Sequence, residues 1–134
     1  MSEQNTPIFP LRTVLFPASR IPLRIFEPRY LDMVSSCLRS NTEFGVVLSK
    51  EVIQPGMYET YNIGTLASII DWSQDKDGLL NITVIGSNKF ELISLSKKED
   101  GLNIADINIS GETNPEKSVK EIIKLIDSIL LKGK

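Results

Sequence analysis

The sequence predicts a mainly β fold with helices (α+β), an antiparallel barrel or coiled sheet. Three observations carry that prediction. Short apolar runs, several of them alternating, are separated by tight Gly-containing turns. One helical period follows directly on the second run. The last stretch, 115–132, carries helix signals rather than strand signals.

Residues 1–6 are polar and read as a flexible tail, leaving 7–111 as the barrel domain and 112–134 as a C-terminal helix. "PIFPLRTVLF" is apolar but interrupted by Pro10, which cannot donate to a ladder, so an edge or a strand start is expected. "FPASR" turns. "IPLRIF" is a strand with Ile21, Leu23 and Ile25 on one face. Pro28 then has φ preset for a helix and lacks only an N–H that a first turn leaves free. Glu27 stands beside that N-terminus, where negative charge is favoured. Tyr30, Met33, Val34, Cys37 and Leu38 follow at i, i+3, i+4, i+7 and i+8, so a helix is expected over 29–39.

"EFGVVLSK" (43–50) reads as a strand, "QPGMYETYN" (54–62) as a loop around Pro55-Gly56, and "IGTLASIIDW" (63–72) as a strand. "LLNITVIG" (79–86) pairs back across "SQDKDG", and "NKFELISLS" (88–96) is a further strand. In "LNIADINI" (102–109), Ile104, Ile107 and Ile109 do not share one face, which allows a bulge. Asn114-Pro115-Glu116 starts the final helix. Its apolar residues, including Ile122, Ile126, Ile129 and Leu130, cover more than one stripe. Such a helix wants neighbours on several sides. Either it docks and also serves an interface, giving self-association, or the chain is truncated before the segment that would cover it.

The 134 residues suit one domain, with a net charge of −2 and a pI near 5.2. The acidic balance disfavours nucleic-acid binding, which draws on a basic face. All five arginines fall within the first 39 residues, and the lysines begin at Lys50. There is one cysteine and no histidine, so an intrachain disulfide, a Cys-rich zinc site and His-based acid–base chemistry are all excluded. No apolar run spans a membrane, no phosphate-binding Gly loop occurs, and the N-terminus is too polar for a signal peptide. A cytoplasmic protein with no cofactor, metal or catalytic residue is expected.

The remaining candidates read mostly as structure. Glu27 and Arg29 could be an acid and a clamp, but the favoured reading is a helix-start charge and a structural ion pair that fixes the strand-helix corner. Cys37 sits on the apolar stripe and reads as a small buried hydrophobe. Asp71, Asp75 and Asp77 lack the spacing of a hard-cation loop. Tyr58, Tyr61 and Trp72, in or beside loops, either cover the barrel rim or contact a partner, and Ile126 and Leu130 on the last helix are further contact candidates.

"IFPLRTVLFPASRIPLRIFEPRYLDMV" resembles the opening signature of the Lon protease N-terminal domain family, in which Phe16, Pro17, Phe26, Glu27, Pro28, Arg29 and Tyr30 fall on the shared pattern. "FGVVL", "IGTLASI" and "LLNITVIGSNKFEL" resemble later blocks of that family in order, and bring Gly45 and Gly64 into the signature. The resemblance implies a PUA-like pseudo-barrel, devoted to substrate recognition rather than chemistry. It also implies that the Glu-Pro-Arg-Tyr stretch is a fold determinant. Two positions depart from the pattern. Ala18 stands where Gly is usual, so a turn wanting φ > 0 is expected to shift to Ser19 or be remodelled. Lys89 stands where Arg is common. The expectation is a non-catalytic module, a stand-alone Lon-domain protein or a piece of one, that binds unfolded or extended polypeptide or a protein partner. RNA binding is the alternative, because PUA-like barrels include RNA binders.

Overall fold

The computed structural model describes residues 2–50 and 60–110. The expected helix over 115–132 lies outside them, as do Tyr58, Ile126 and Leu130. The elements are β1 (Ser2–Leu11), β2 (Arg20–Ile25), α1 (Pro28–Ser40), β3 (Phe44–Ser49), β4 (Thr60–Gln74), β5 (Leu80–Lys97) and β6 (Asn103–Ile109).

The sheet order is β2-β5-β4-β3-β1-β6, and β6 pairs back onto β5. That last pairing closes a ring of β5, β4, β3, β1 and β6. β2 is left on the N-terminal half of β5, outside the ring, with β5 as its one strand neighbour among the described residues. The result is the expected pseudo-barrel with one departure: β1 and β3 run parallel, while the other pairs are antiparallel.

Residues 2–6, expected to be a loose tail, belong to β1 and pair with β6 from Ser2↔Asn108 onward. The polarity of residues 2–5 reflects exposure of that end of the strand, not lack of structure, while Thr6 is buried. β1 is not an edge strand, yet its prolines obey the edge rule. Pro7 lies where β6 alone flanks the strand, and Pro10 where β3 alone does. Neither has to supply an N–H to two partners. The two strands read over 79–86 and 88–96 are one continuous β5, because an extra residue near Ser87–Asn88 is absorbed as a bulge against β4. The bulges next to β6 sit on its partners, at Ile93 in β5 and around Asn5 in β1, where φ is 55°. β6 itself stays regular, with Ala105, Ile107 and Ile109 buried.

The interior is filled from two sides. Ile8, Val47, Leu66, Phe90, Ala105, Ile107 and Ile109 form one cluster inside the ring. The Phe90 ring lies against two glycines. A Cβ on Gly45 would come within 2.8 Å of Phe90 Cζ, and one on Gly64 within 2.5 Å of it. The other cluster joins β2, β3 and β5 to α1 through Ile25, Tyr30, Met33, Val34, Cys37, Phe44, Ile82 and Val84. Burying a side chain of this size contributes on the order of 1.5–3 kcal/mol. α1 therefore caps the barrel with the stripe read from the sequence.

The "FPASR" turn keeps its left-handed residue in place. Ala18 itself adopts φ 67° rather than passing the strain to Ser19. Its N–H donates to Gly86 O at 2.8 Å. Ser19 Oγ donates to Phe16 O at 2.7 Å and accepts from Phe16 N at 3.1 Å, and Pro17 bridges to Gly86. These contacts fix the turn tightly enough that alanine is held where glycine would sit freely.

Candidate functional site

The strand-to-helix corner that opens α1 is built locally and then tied to the far hairpin. Glu27 is the residue before the helix and makes no side-chain cap. Its backbone carbonyl accepts from Tyr30 N and Leu31 N, both at 3.0 Å. Its carboxylate instead accepts from Arg29, at 3.2 Å from Nε and 3.1 Å from Nη2. Arg29 Nη1 reaches across to donate to Gly101 O at 3.0 Å, and the guanidinium carbon lies 4.9 Å from the Tyr30 ring centroid. Arg29 thus clamps α1 to the β5–β6 turn. The pair is structural in geometry, as the sequence reading favoured.

Beside this corner lies a groove of about 310 Å³ between the end of β1 and the β2–α1 junction. Phe9, Leu11, Leu23, Ile25, Phe26 and Tyr30 give it an apolar lining. Tyr30 is buried against Phe9, ring centroids 4.4 Å apart, and Phe9 in turn meets Phe44 edge-on at 6.1 Å. Phe26, by contrast, is 65% exposed. A phenylalanine that exposed at the lip of an apolar groove offers contact area the fold does not use. Arg12, Arg24 and Arg29 stand around it, with Glu27.

Trp72, 54% exposed, belongs to the same end of the sheet. It pairs with Ile82, which pairs with Leu23 of β2, so the three occupy one row across β4, β5 and β2. Ile70 is also exposed, as the extra residue of a bulge between Ile69 and Asp71. Tyr61 is placed elsewhere. It lies near the start of β4, half-buried, with Lys50 Nζ 5.1 Å from its ring centroid. The structure therefore does not bring Tyr61 and Trp72 together. Phe26 was read from the sequence only as part of the fold signature; its alternation after Ile25 was the available signal that it points out.

The other candidates have structural partners. Asp75 accepts from Asn81 Nδ2 at 2.9 Å and pairs with Arg24 Nη2 at 3.4 Å. Asp71 accepts from the Trp72 N–H. Among the described residues no cluster of three or more metal-ligating side chains exists. Burial pushes the Cys37 thiol pKa up from its ordinary value, against a smaller opposing effect of a hydrogen bond with Thr42. Lys89 is almost fully buried. Among the described residues no helix is long and apolar enough to cross a membrane.

The model of the ATP-dependent protease La (Lon) substrate-binding domain matches residues 5–133. The chain belongs to that family. It is 30% identical to a Lon protease of Parabacteroides distasonis over 92% of its length, and 28% identical to one of Flavobacterium johnsoniae over 93%. The chain spans 15% and 16% of the lengths of those proteases. Among solved structures it is similar to a Lon N-terminal domain protein from Xanthomonas campestris, at 31% identity with a TM-score of 0.68, covering 98% of this chain and 74% of that one. The N-terminal domain of a Lon protease from the Mycobacterium avium complex shares the fold, with a TM-score of 0.60 at 10% identity, over 85% of this chain and 57% of that one. In this Lon-domain chain, the signature residues Phe26, Glu27, Arg29 and Tyr30 all line the groove.

Proposed function

We propose that the chain is a non-catalytic module that recognises unfolded or extended polypeptide, with the groove beside Phe26 as its contact surface. The observation that carries this reading is an apolar, partly aromatic groove, exposed at Phe26, in a chain of the Lon substrate-binding family. Bulky side chains of a partner would enter it, as apolar anchors do at protein interfaces. The family match and the acidic balance favour polypeptide over RNA. A cytoplasmic site of action fits this role.

The test is fluorescence anisotropy of a labelled, permanently unfolded protein titrated with the full chain. Binding that polyuridylate does not displace supports the reading. Displacement by the RNA, or no binding, contradicts it. Phe26→Ser is expected to weaken binding at least about fivefold, the loss of roughly 1 kcal/mol that an exposed aromatic anchor carries, with no change in melting temperature. The apolar periodicity of 115–132 supports self-association through that segment. Sedimentation equilibrium of the full chain against an Ile126→Glu/Leu130→Glu variant checks it, and equal masses would contradict it.

A further inference from the structure

We infer that the groove selects apolar segments flanked by acidic residues, and that it reads side chains rather than adding a strand to β2; this rests on the polypeptide-binding reading above. Among the described residues, the lining of the groove carries Arg12, Arg24 and Arg29 against one carboxylate, Glu27. Glu27 is engaged by Arg29. Arg24 touches Asp75 at 3.4 Å, but the two side chains are 61% and 40% exposed, so that pair is weak and exchangeable. Arg12 is exposed and has no hydrogen bond or ion pair among the described residues. A chain of net charge −2 thus concentrates positive charge around its apolar groove. Charge placed at a rim chiefly sets partner choice.

Strand addition is disfavoured by the register of β2. Gly86 N donates to Ser19 O at 2.9 Å, and β2 pairs with β5 without a register shift. Alternation then turns the backbone groups of Ile21, Leu23 and Ile25 toward β5, and those of Arg20, Pro22 and Arg24 toward the open edge. Pro22 has no N–H to give at the middle of that edge, the usual device against edge pairing. A groove of about 310 Å³ is at the small end for ligand sites and takes only about one or two large side chains. The occupant is therefore a short apolar anchor on a partner polypeptide with carboxylates close by.

The experiment compares three labelled peptides sharing one Leu-Phe core, flanked by Asp/Glu, by Ser/Gln or by Lys, each titrated with the full chain at low and high salt. The acid-flanked peptide is expected to bind about tenfold more tightly than the Lys-flanked one, with the gap narrowing at high salt. Arg12→Glu is expected to shrink or reverse that ranking, and Phe26→Ser to weaken all three. Equal binding of the three would overturn the charge selection while leaving polypeptide recognition standing. Binding of none would overturn both. Binding that appears only in the Ile126→Glu/Leu130→Glu variant would assign the groove to this chain's own residues 112–134, and binding that appears only on dilution would assign it to a second copy; either would overturn the proposal.

Discussion

Ala18 holds a backbone conformation that an L side chain adopts at a cost of about 1–2 kcal/mol. Ala18→Gly removes that strain but adds freedom to the unfolded chain, so a net gain of about 0.5–1 kcal/mol is expected in urea unfolding. A loss would show that the turn prefers alanine for a reason outside its backbone. Arg29 and Glu27 differ in a way their pairing hides. Arg29 is 23% exposed and holds Gly101 as well as Glu27, whereas the Glu27 carboxylate is 40% exposed and, among the described residues, holds only Arg29. Arg29→Ala is therefore expected to cost about 1.5–3 kcal/mol and Glu27→Ala less than about 1, measured by thermal unfolding. Cys37 has its thiol pKa raised by burial. The protonated thiol is the form the fold favours. Its contribution is fully present below the ordinary thiol range and is lost as pH rises from the unfolded pKa through the folded one. Stability should therefore decline at alkaline pH less steeply in Cys37→Ala than in the parent chain, once the baseline loss from that substitution is subtracted.

At the scale of elements, α1 was legible because its signals are local: Pro28 at the first position and an apolar stripe at helical spacing. The ends and continuity of the strands were less so. Polar residues 2–6 gave no apolar pattern, yet β6 recruits them by backbone pairing, which any side chain permits. Gly86 and the following bulge looked like the end of a strand, when they mark a bend within β5. The signature glycines have a packing role that only the closed ring reveals. Gly64→Ala would drive a methyl into Phe90, the Val46 carbonyl and Val47 at once. Two of those neighbours are core side chains and one is backbone, so the loss should reach about 3 kcal/mol or more, or the chain should fail to fold. Gly78→Ala is the control: its Cβ meets nothing within 4 Å, so backbone strain at φ 86° is its only penalty. The smaller loss is expected there.

At the scale of the whole molecule, closure of the ring by β6 is what leaves β2 outside and opens a groove at the β2–α1 corner. That consequence could not be read from the sequence, because it depends on β1 pairing with both β3 and β6 across long separations. Trp72 was legible as an aromatic beside a loop, but its distance from Tyr61 along β4 was a property of strand length. Phe26 was hidden inside a signature that reads as pure framework. As proposed, the Phe26–Tyr30 corner is both framework and contact surface. The most direct measurement places a photo-crosslinking side chain at position 26, and at Ile93 on a distant exposed bulge as control, in the presence of a labelled unfolded protein. Strong crosslinking is expected from position 26 and little from position 93. Equal yields from both, or a yield confined to position 93, would contradict it.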